Sequence, residues 1–388
     1  MGLKGTNQEW GRPYNRRIVL EAIRLEGTTT RGRIAARVGL TVQTVSTIIR
    51  ELEDLGLVLS VRAEPKGRGY PPAALRINPE GGYAIGLHVT PLGVDAGLIN
   101  LAGDVIATTS RSATNLAPDA GFRMIADCAT ELRLIRPEGR MLGAGLALPG
   151  PFNVDSMSFV GPTTISGWAD VPLAGRLAEA TGLPAFIEVD MAAAAHGERL
   201  YGQGGDFGQF YYLYFGVGLG GAMVADGTVL RGTWGNAGEI GHLPLVPGGE
   251  PCPCGNAGCL ERYVSLEAFS RRPPAMALDE WLESVKPVFR AAVTTIENLY
   301  DPETIILGGV APADLLAGLG ALAAGLGNSV SARRDRKAPR LLVSDGGKNT
   351  VLKGAAALAV GGILSPRFDQ MRAGPAPGAR DLLKGLAA

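Results

Sequence analysis

Cys252-Pro253-Cys254-Gly255-Asn256-Ala257-Gly258-Cys259-Leu260-Glu261, preceded by Gly241-His242, gathers three thiols and an imidazole into one short stretch. The fourth and last cysteine, Cys128, lies far upstream. Three soft sulfur donors and one ring nitrogen make a closed tetrahedral set, the composition of a structural zinc site. With His242, Cys252, Cys254 and Cys259 as ligands and no open position, the expected role is to tie a loop, not to activate water. Cys128, in an apolar helical stretch, reads as a small buried hydrophobe. The N-terminal MGLKGTNQEWGRPYNRR has no apolar run of a secretory signal, which favours metal over disulfides and a cytoplasmic location.

A second set of chemically capable residues lies near the start. Residues 1–78 carry 13 Lys or Arg and seven Asp or Glu, a net of +6, in a chain whose 37 basic and 37 acidic residues cancel. A basic head on an acidic body points to a polyanion-binding module attached to something else. Its pattern is more specific than its charge. Ile18, Val19, Ala22 and Ile23 recur at helical spacing. Thr30 caps a short helix carrying Ile34, Ala35 and Val38. Gly39 turns the chain, Thr41 caps again, and Val45, Ile48, Ile49, Leu52 and Leu55 line one face of a third helix that Gly56 stops. This is a helix-turn-helix, whose second helix enters the major groove of double-stranded DNA. Thr41, Gln43, Thr44, Thr47 and Arg50 are the expected DNA contacts, and Arg16, Arg17 and Arg31 are candidates for phosphate. Leu57–Ala63 and Ala73–Ile77 read as strands of a wing with Arg68 at its tip.

With 46% apolar and 19% charged residues the chain can bury a core, which excludes disorder. The longest uncharged runs, Phe207–Ala225 and Leu315–Ala332, are too broken by glycine and polar residues for a bilayer span. From Tyr83 onward strands and helices alternate. Strands are expected at Tyr83–Val89, Val94–Ile99, Asp104–Thr109, Met141–Leu148 and Ala185–Val189, and helices at Ala120–Leu134, Leu173–Thr181 and Met191–Tyr201. Phe210–Phe215 restarts the pattern with strand, glycine-rich turn and strand, and Thr304–Leu307 is a late strand. Two similar α/β halves in succession predict a two-lobed body with a cleft between the lobes. The expected units are a head at 1–78, a first lobe at 79–190 and a second at 191–388, with a last helix able to return to the first lobe.

Gly238-Glu239-Ile240-Gly241-His242 and the cysteine loop ending in Glu261 resemble the signature of the ROK family (repressors, open reading frames and sugar kinases). So do Leu148-Pro149-Gly150-Pro151, Gly167-Trp168, Gly216-Val217-Gly218-Leu219-Gly220-Gly221 and Ile305-Ile306-Leu307-Gly308-Gly309. The resemblance covers about residues 83–365 and implies an actin-like, sugar-kinase-like ATPase fold. Regulators of the family carry a winged helix-turn-helix of this size ahead of the body. Kinases of the family use an Asp-x-Gly-Gly-Thr loop for ATP phosphate; the matching stretch here is His88-Val89-Thr90-Pro91-Leu92, with no acid, no glycine and a proline that lacks an N–H. The family's Asn-Asp pair is matched by Val189 and Asp190, leaving a vestigial base candidate, and a second family Asn is matched by Ala192. Glu239, His242 and Glu261 match sugar-hydroxyl partners. The resemblance further implies that His242 offers one nitrogen to zinc and the other to the ligand. The reading is a DNA-binding transcriptional regulator, a repressor without kinase activity, with a DNA operator, a sugar or sugar-derivative effector and a homodimeric or homotetrameric state. The alternative is an ATP-dependent sugar kinase with a fused DNA-binding head.

Overall fold

The computed structural model describes residues 11–61, 73–114, 116–150, 165, 167–168, 171–331, 333 and 335–364. The head comprises α1 (Gly11–Glu26), α2 (Arg31–Val38) and α3 (Val42–Asp54), followed by the antiparallel strands β1 (Val58–Val61) and β2 (Ala74–Ile77). Both expected caps form. Thr30 accepts the Arg33 N–H at 3.4 Å and Thr41 the Thr44 N–H at 3.1 Å, satisfying donors that a helix start leaves open. Ile18, Val19 and Ile23 of α1 share one core with Ile34, Val38, Val45, Ile49, Leu52 and Leu75. Each such fully buried aliphatic contributes about 1.5–3 kcal/mol of burial.

The first body sheet holds β3 (Tyr83–Thr90), β4 (Gly93–Asn100), β5 (Val105–Ser112), β6 (Met141–Leu148) and β7 (Ala185–Val189) in the order β5-β4-β3-β6-β7. β3 runs antiparallel to β4 and parallel to β6. The helices α4 (Pro118–Leu134) and α5 (Leu173–Thr181) cover one face, where Ile85, Leu87 and Val89 meet Phe122, Ile125 and Leu177. Cys128 is fully buried there, in line with its reading as a small hydrophobe. After α6 (Asp190–Tyr201) the plan repeats with β8 (Gln209–Phe215), β9 (Leu219–Ala225), β10 (Thr228–Val229), α7 (Leu266–Ser270), α8 (Leu278–Tyr300), β11 (Thr304–Gly309), α9 (Ala313–Leu322) and β12 (Leu341–Val343). The second sheet, β10-β9-β8-β11-β12, again joins an antiparallel hairpin to parallel strands. Period-two alternation on β8 sends Tyr211, Leu213 and Phe215 towards α8 and α9, and Tyr212 and Tyr214 towards α6.

The last described helix, α10 (Thr350–Leu364), lies on the first sheet and crosses α6. Apart from Lys353, its residues are buried, as expected of a helix that is apolar all round. Its approach is set by glycine. A Cβ on Gly86 or Gly145 would sit 1.9 or 1.8 Å from a carbonyl oxygen of α10, and one on Gly354 would sit 1.9 Å from the Ala193 carbonyl oxygen. No larger residue fits these positions without moving backbone.

α8 has no counterpart among the elements expected from the sequence. It spans 23 residues despite Pro287, because Trp281, Leu282, Val285, Phe289, Ala292, Val293 and Ile296 form a continuous buried stripe. That burial outweighs the one backbone hydrogen bond that proline removes. Among the described residues no helix is long and apolar enough to cross a membrane.

Candidate functional site

Two strand ends and one loop bring the cleft residues together. Asp190 follows β7 as the first residue of α6, with Val189 in the cap position. One Asp190 oxygen accepts the Met191 N–H at 2.7 Å; the other lies 3.9 Å from His88 Nε2 at the end of β3. Val189 and Ala192 are buried and give Asp190 an apolar flank. Tyr214 of β8 is close enough for the Asp190 charge, added to burial, to push its phenol well up. Tyr214 was not among the residues expected here; on the sequence it is one aromatic in a strand of several.

Glu239 and His242 bracket a short 3-10 turn, Ile240–His242. Gly238 ahead of it has φ +102°, and a Cβ there would lie 1.8 Å from the Gly221 carbonyl oxygen, so the loop can lie against β9 only with glycine. Burial, reinforced by the Asp190 and Glu261 carboxylates, pushes Glu239 up to about 7 against the pull of His242. At neutral pH this group both donates and accepts, which suits a hydroxyl-rich ligand. Gly150 sits against both sides of the cleft: a Cβ on it would lie 3.1 Å from Val189 and 3.3 Å from Glu239.

His242 divides its ring between two neighbourhoods. Nε2 faces Glu239 at 4.0 Å, and Nδ1 lies 3.6 Å from Cys252 Sγ and 3.5 Å from Glu261 Oε1. The four expected donors of His242, Cys252, Cys254 and Cys259 all lie within 4.8 Å of one another, with Cys254 and Cys259 sulfurs 3.6 Å apart. Tetrahedral zinc, with bonds of about 2.3 Å to sulfur and about 2.0 Å to nitrogen, sets ligand edges of about 3.5–3.8 Å. The donor set therefore fits the metal. Glu261, 3.7 Å from Cys252 Sγ, adds a carboxylate at the edge of the set. Burial pushes the Cys252 and Cys259 thiols up. For Cys254 burial is outweighed by the Asn256 backbone N–H and the neighbouring thiols, which bring it down. The loop is closed by Cys252 N–H to the Asn256 carbonyl at 2.8 Å and by bridges pairing Pro244 with Cys259 and Pro251 with Ala257.

The β3–β4 connection is a two-residue turn. Pro91 has no N–H, and the Leu92 N–H is taken by Thr90 Oγ1 at 3.1 Å, so the turn presents no free donor to a phosphate.

On the head, Gln43, Thr44, Thr47 and Arg50 are exposed along the outer face of α3, and Thr41 is exposed at its start. Thr41 and Thr44 bond each other, their hydroxyls 2.9 Å apart, while the Thr47 hydroxyl bonds the Gln43 carbonyl at 3.2 Å. Among the described residues nothing engages the Gln43 side-chain amide, whose donor and acceptor would suit adenine. Val42, not singled out by the sequence because a lone Val at a helix start looks like core, is 53% exposed at the first turn. Arg16 is not a phosphate contact: it is 5% exposed and its Nε bonds Glu51 Oε2 at 2.5 Å, an ion pair inside the head. Arg31 leans back on Ser60 at 3.4 Å. Arg68 lies outside the described residues.

The ROK family model matches residues 92–285, half of the chain, and a winged helix-turn-helix DNA-binding model matches residues 13–58. The chain belongs to the ROK family. Among ROK relatives, the xylose repressor of Bacillus subtilis (strain 168) is 26% identical over 264 residues, 68% of each chain. A glucokinase of Halalkalibacterium halodurans is 33% identical over 203 residues, 44% of this chain and 61% of the enzyme. The crystal structure of a ROK family transcriptional regulator, a homolog of the E. coli MLC protein, superposes with a TM-score of 0.68 at 24% identity, covering 92% of this chain and 97% of the other. The fold is thus the two-lobed ROK body behind a winged helix-turn-helix.

Proposed function

We propose that this ROK protein is a sugar-responsive DNA-binding repressor whose body holds a structural zinc and has no kinase activity. The observation that carries the reading is the pairing, in one chain, of a recognition helix with a bare outer face and a carboxylate–imidazole cleft whose phosphate turn has no free N–H. Asp190, Glu239, His242 and Glu261 bind the effector's hydroxyls. When bound, zinc on His242, Cys252, Cys254 and Cys259 supplies a rigid cross-link for the loop. His242, shared between that cross-link and the cleft, couples ligand position to loop position.

The route to the head runs along α6, which starts at Asp190 in the cleft and ends at Tyr201 beside Arg24 of α1. At that joint Glu21 pairs with Arg24 and lies 3.6 Å from Arg199. A ligand acts only through different affinities for two states, so the states must differ in how the lobes, and with them α6, sit against α1. Reading of a palindromic site by paired heads makes a homodimer the expected unit, itself able to pair into a homotetramer.

The test is binding to DNA from the protein's own upstream region, followed by fluorescence anisotropy over a salt series. Specific, salt-sensitive binding that weakens on adding xylose or glucose, the sugars named by the relatives, supports the reading. Binding indifferent to DNA sequence sinks it. The kinase alternative draws on the glucokinase relative. It predicts ADP release with ATP, magnesium and glucose, and the spent turn at Thr90–Leu92 argues that none will be seen.

A further inference from the structure

His88 sits near the carboxyl end of β3, on the face that α10 covers, where the strand runs parallel to β6. Alternation sends its neighbours Leu87 and Val89 into the opposite core. Ligands in open α/β sheets gather at the carboxyl ends of parallel strands. His88 is 2% exposed, and its Nε2 is buried with no hydrogen-bond partner among the described residues. Such groups are rare in folded proteins and call for an explanation. Asp190 Oδ2 stands 3.9 Å away, too far for a direct bond but a span that one oxygen set between them would bridge at hydrogen-bond distance from both. The other Asp190 oxygen is already held by the Met191 N–H.

With the proton on Nε2, the ring on one side and the carboxylate on the other ask for a group that accepts one hydrogen bond and donates another, which is a hydroxyl. A phosphate or carboxylate oxygen only accepts, and it would be set against Asp190 with Glu239 and Glu261 further along the cleft. Among the described residues no Lys or Arg pairs with any of these three carboxylates; their partners are His88 and His242. Arg231, the cation after β10, is held by Glu188. Val189 and Ala192 flank Asp190 with apolar surface, so the polar partner arrives from β3 instead.

We infer, building on the sensor reading above, that His88 and Asp190 together grip one free hydroxyl, and that the effector is a neutral or amino-substituted polyol, not a sugar phosphate or sugar acid. His88 is then a specificity residue: it contacts the ligand and selects for the ester-free form.

Calorimetric titration of the full chain with D-xylose, D-glucose, D-glucosamine, glucose 6-phosphate and D-gluconate tests this. A neutral or amino sugar should bind, and the phosphate and the acid should bind at least about 50-fold more weakly. For the sugar that binds, His88→Phe, which keeps the ring and loses the N–H, should weaken affinity about tenfold, and His88→Gln, which restores a donor, should recover most of it. Circular dichroism and melting without sugar check that both variants fold. A His88 that only fills space would leave affinity unmoved in the Phe variant, and that result overturns the inference. Equal or tighter binding of glucose 6-phosphate or gluconate overturns it as well while leaving a sugar sensor standing. A panel with no binder at all removes both the inference and the sensory reading.

Discussion

His196 shows how position decides the chemistry of a single side chain. It lies on α6, 9% exposed, with Arg231 Nη2 3.4 Å from its Nε2, and burial together with Arg231 and Arg199 brings it down to about 3. The folded state therefore refuses a proton that the unfolded chain accepts below its ordinary value of about 6.5. Stability is whole above pH 6.5 and is lost as pH falls towards 3, at up to about 1.4 kcal/mol per pH unit. Denaturant titrations at pH 7.5 and 5.5 should show a loss on acidification that is about 1 kcal/mol smaller in His196→Asn than in the parent. At the metal loop, Cys254→Ser should leave less than one equivalent of zinc on purified protein by elemental analysis and lower the melting midpoint, because structural zinc contributes folding free energy outright. The candidate metal donors were legible because three thiols and an imidazole at short spacing have few other uses. His88 was legible only as a departure from a phosphate loop, since nothing in its neighbours along the chain reveals that Asp190 stands opposite.

Elements were legible where one period dominated. α2 and α3 begin after the Thr30 and Thr41 caps, and the strands at Tyr83–Thr90 and Met141–Leu148 lie where alternation puts them, within a residue or two. Asp190 opens α6 because the β7 strand ends at Val189. α8 was not read, because Pro287 interrupts a pattern whose helical character depends on what it packs against. Two predictions belong to this scale. Thr41→Ala removes the α3 cap and should cost about 1 kcal/mol of head stability, read by urea denaturation, and weaken DNA binding with it. Gly354→Val drives a side chain into the Ala193 carbonyl at the α6–α10 crossing. It should destabilise the body by at least about 2 kcal/mol, seen as loss of soluble protein or a lower midpoint.

For the whole molecule the useful quantity is the separation of charge: +6 on residues 1–78 balanced by −6 on the remainder. Neutral overall, the chain should nonetheless bind DNA with a steep salt dependence, since only the head meets phosphate. Arg50→Ala should weaken operator binding about tenfold by anisotropy. The joint between head and body makes a separate prediction. Arg199→Met removes the 3.6 Å approach to Glu21 at the far end of α6. Sugar affinity by calorimetry should hold within about threefold while sugar-driven release from DNA is blunted, because the link and not the site is cut.

The sequence by itself determined the His/Cys donor set able to hold a metal, the helix-turn-helix and the duplicated α/β body, because each depends on residues close together in the chain and on one repeating period. Only the tertiary structure decided that Arg16 is spent on Glu51, that Thr90 consumes the one N–H of its turn, and that His88 faces Asp190 across the meeting of β3 and α6. Those facts are distances between residues far apart in sequence, and such distances exist only once the sheets have closed on their helices.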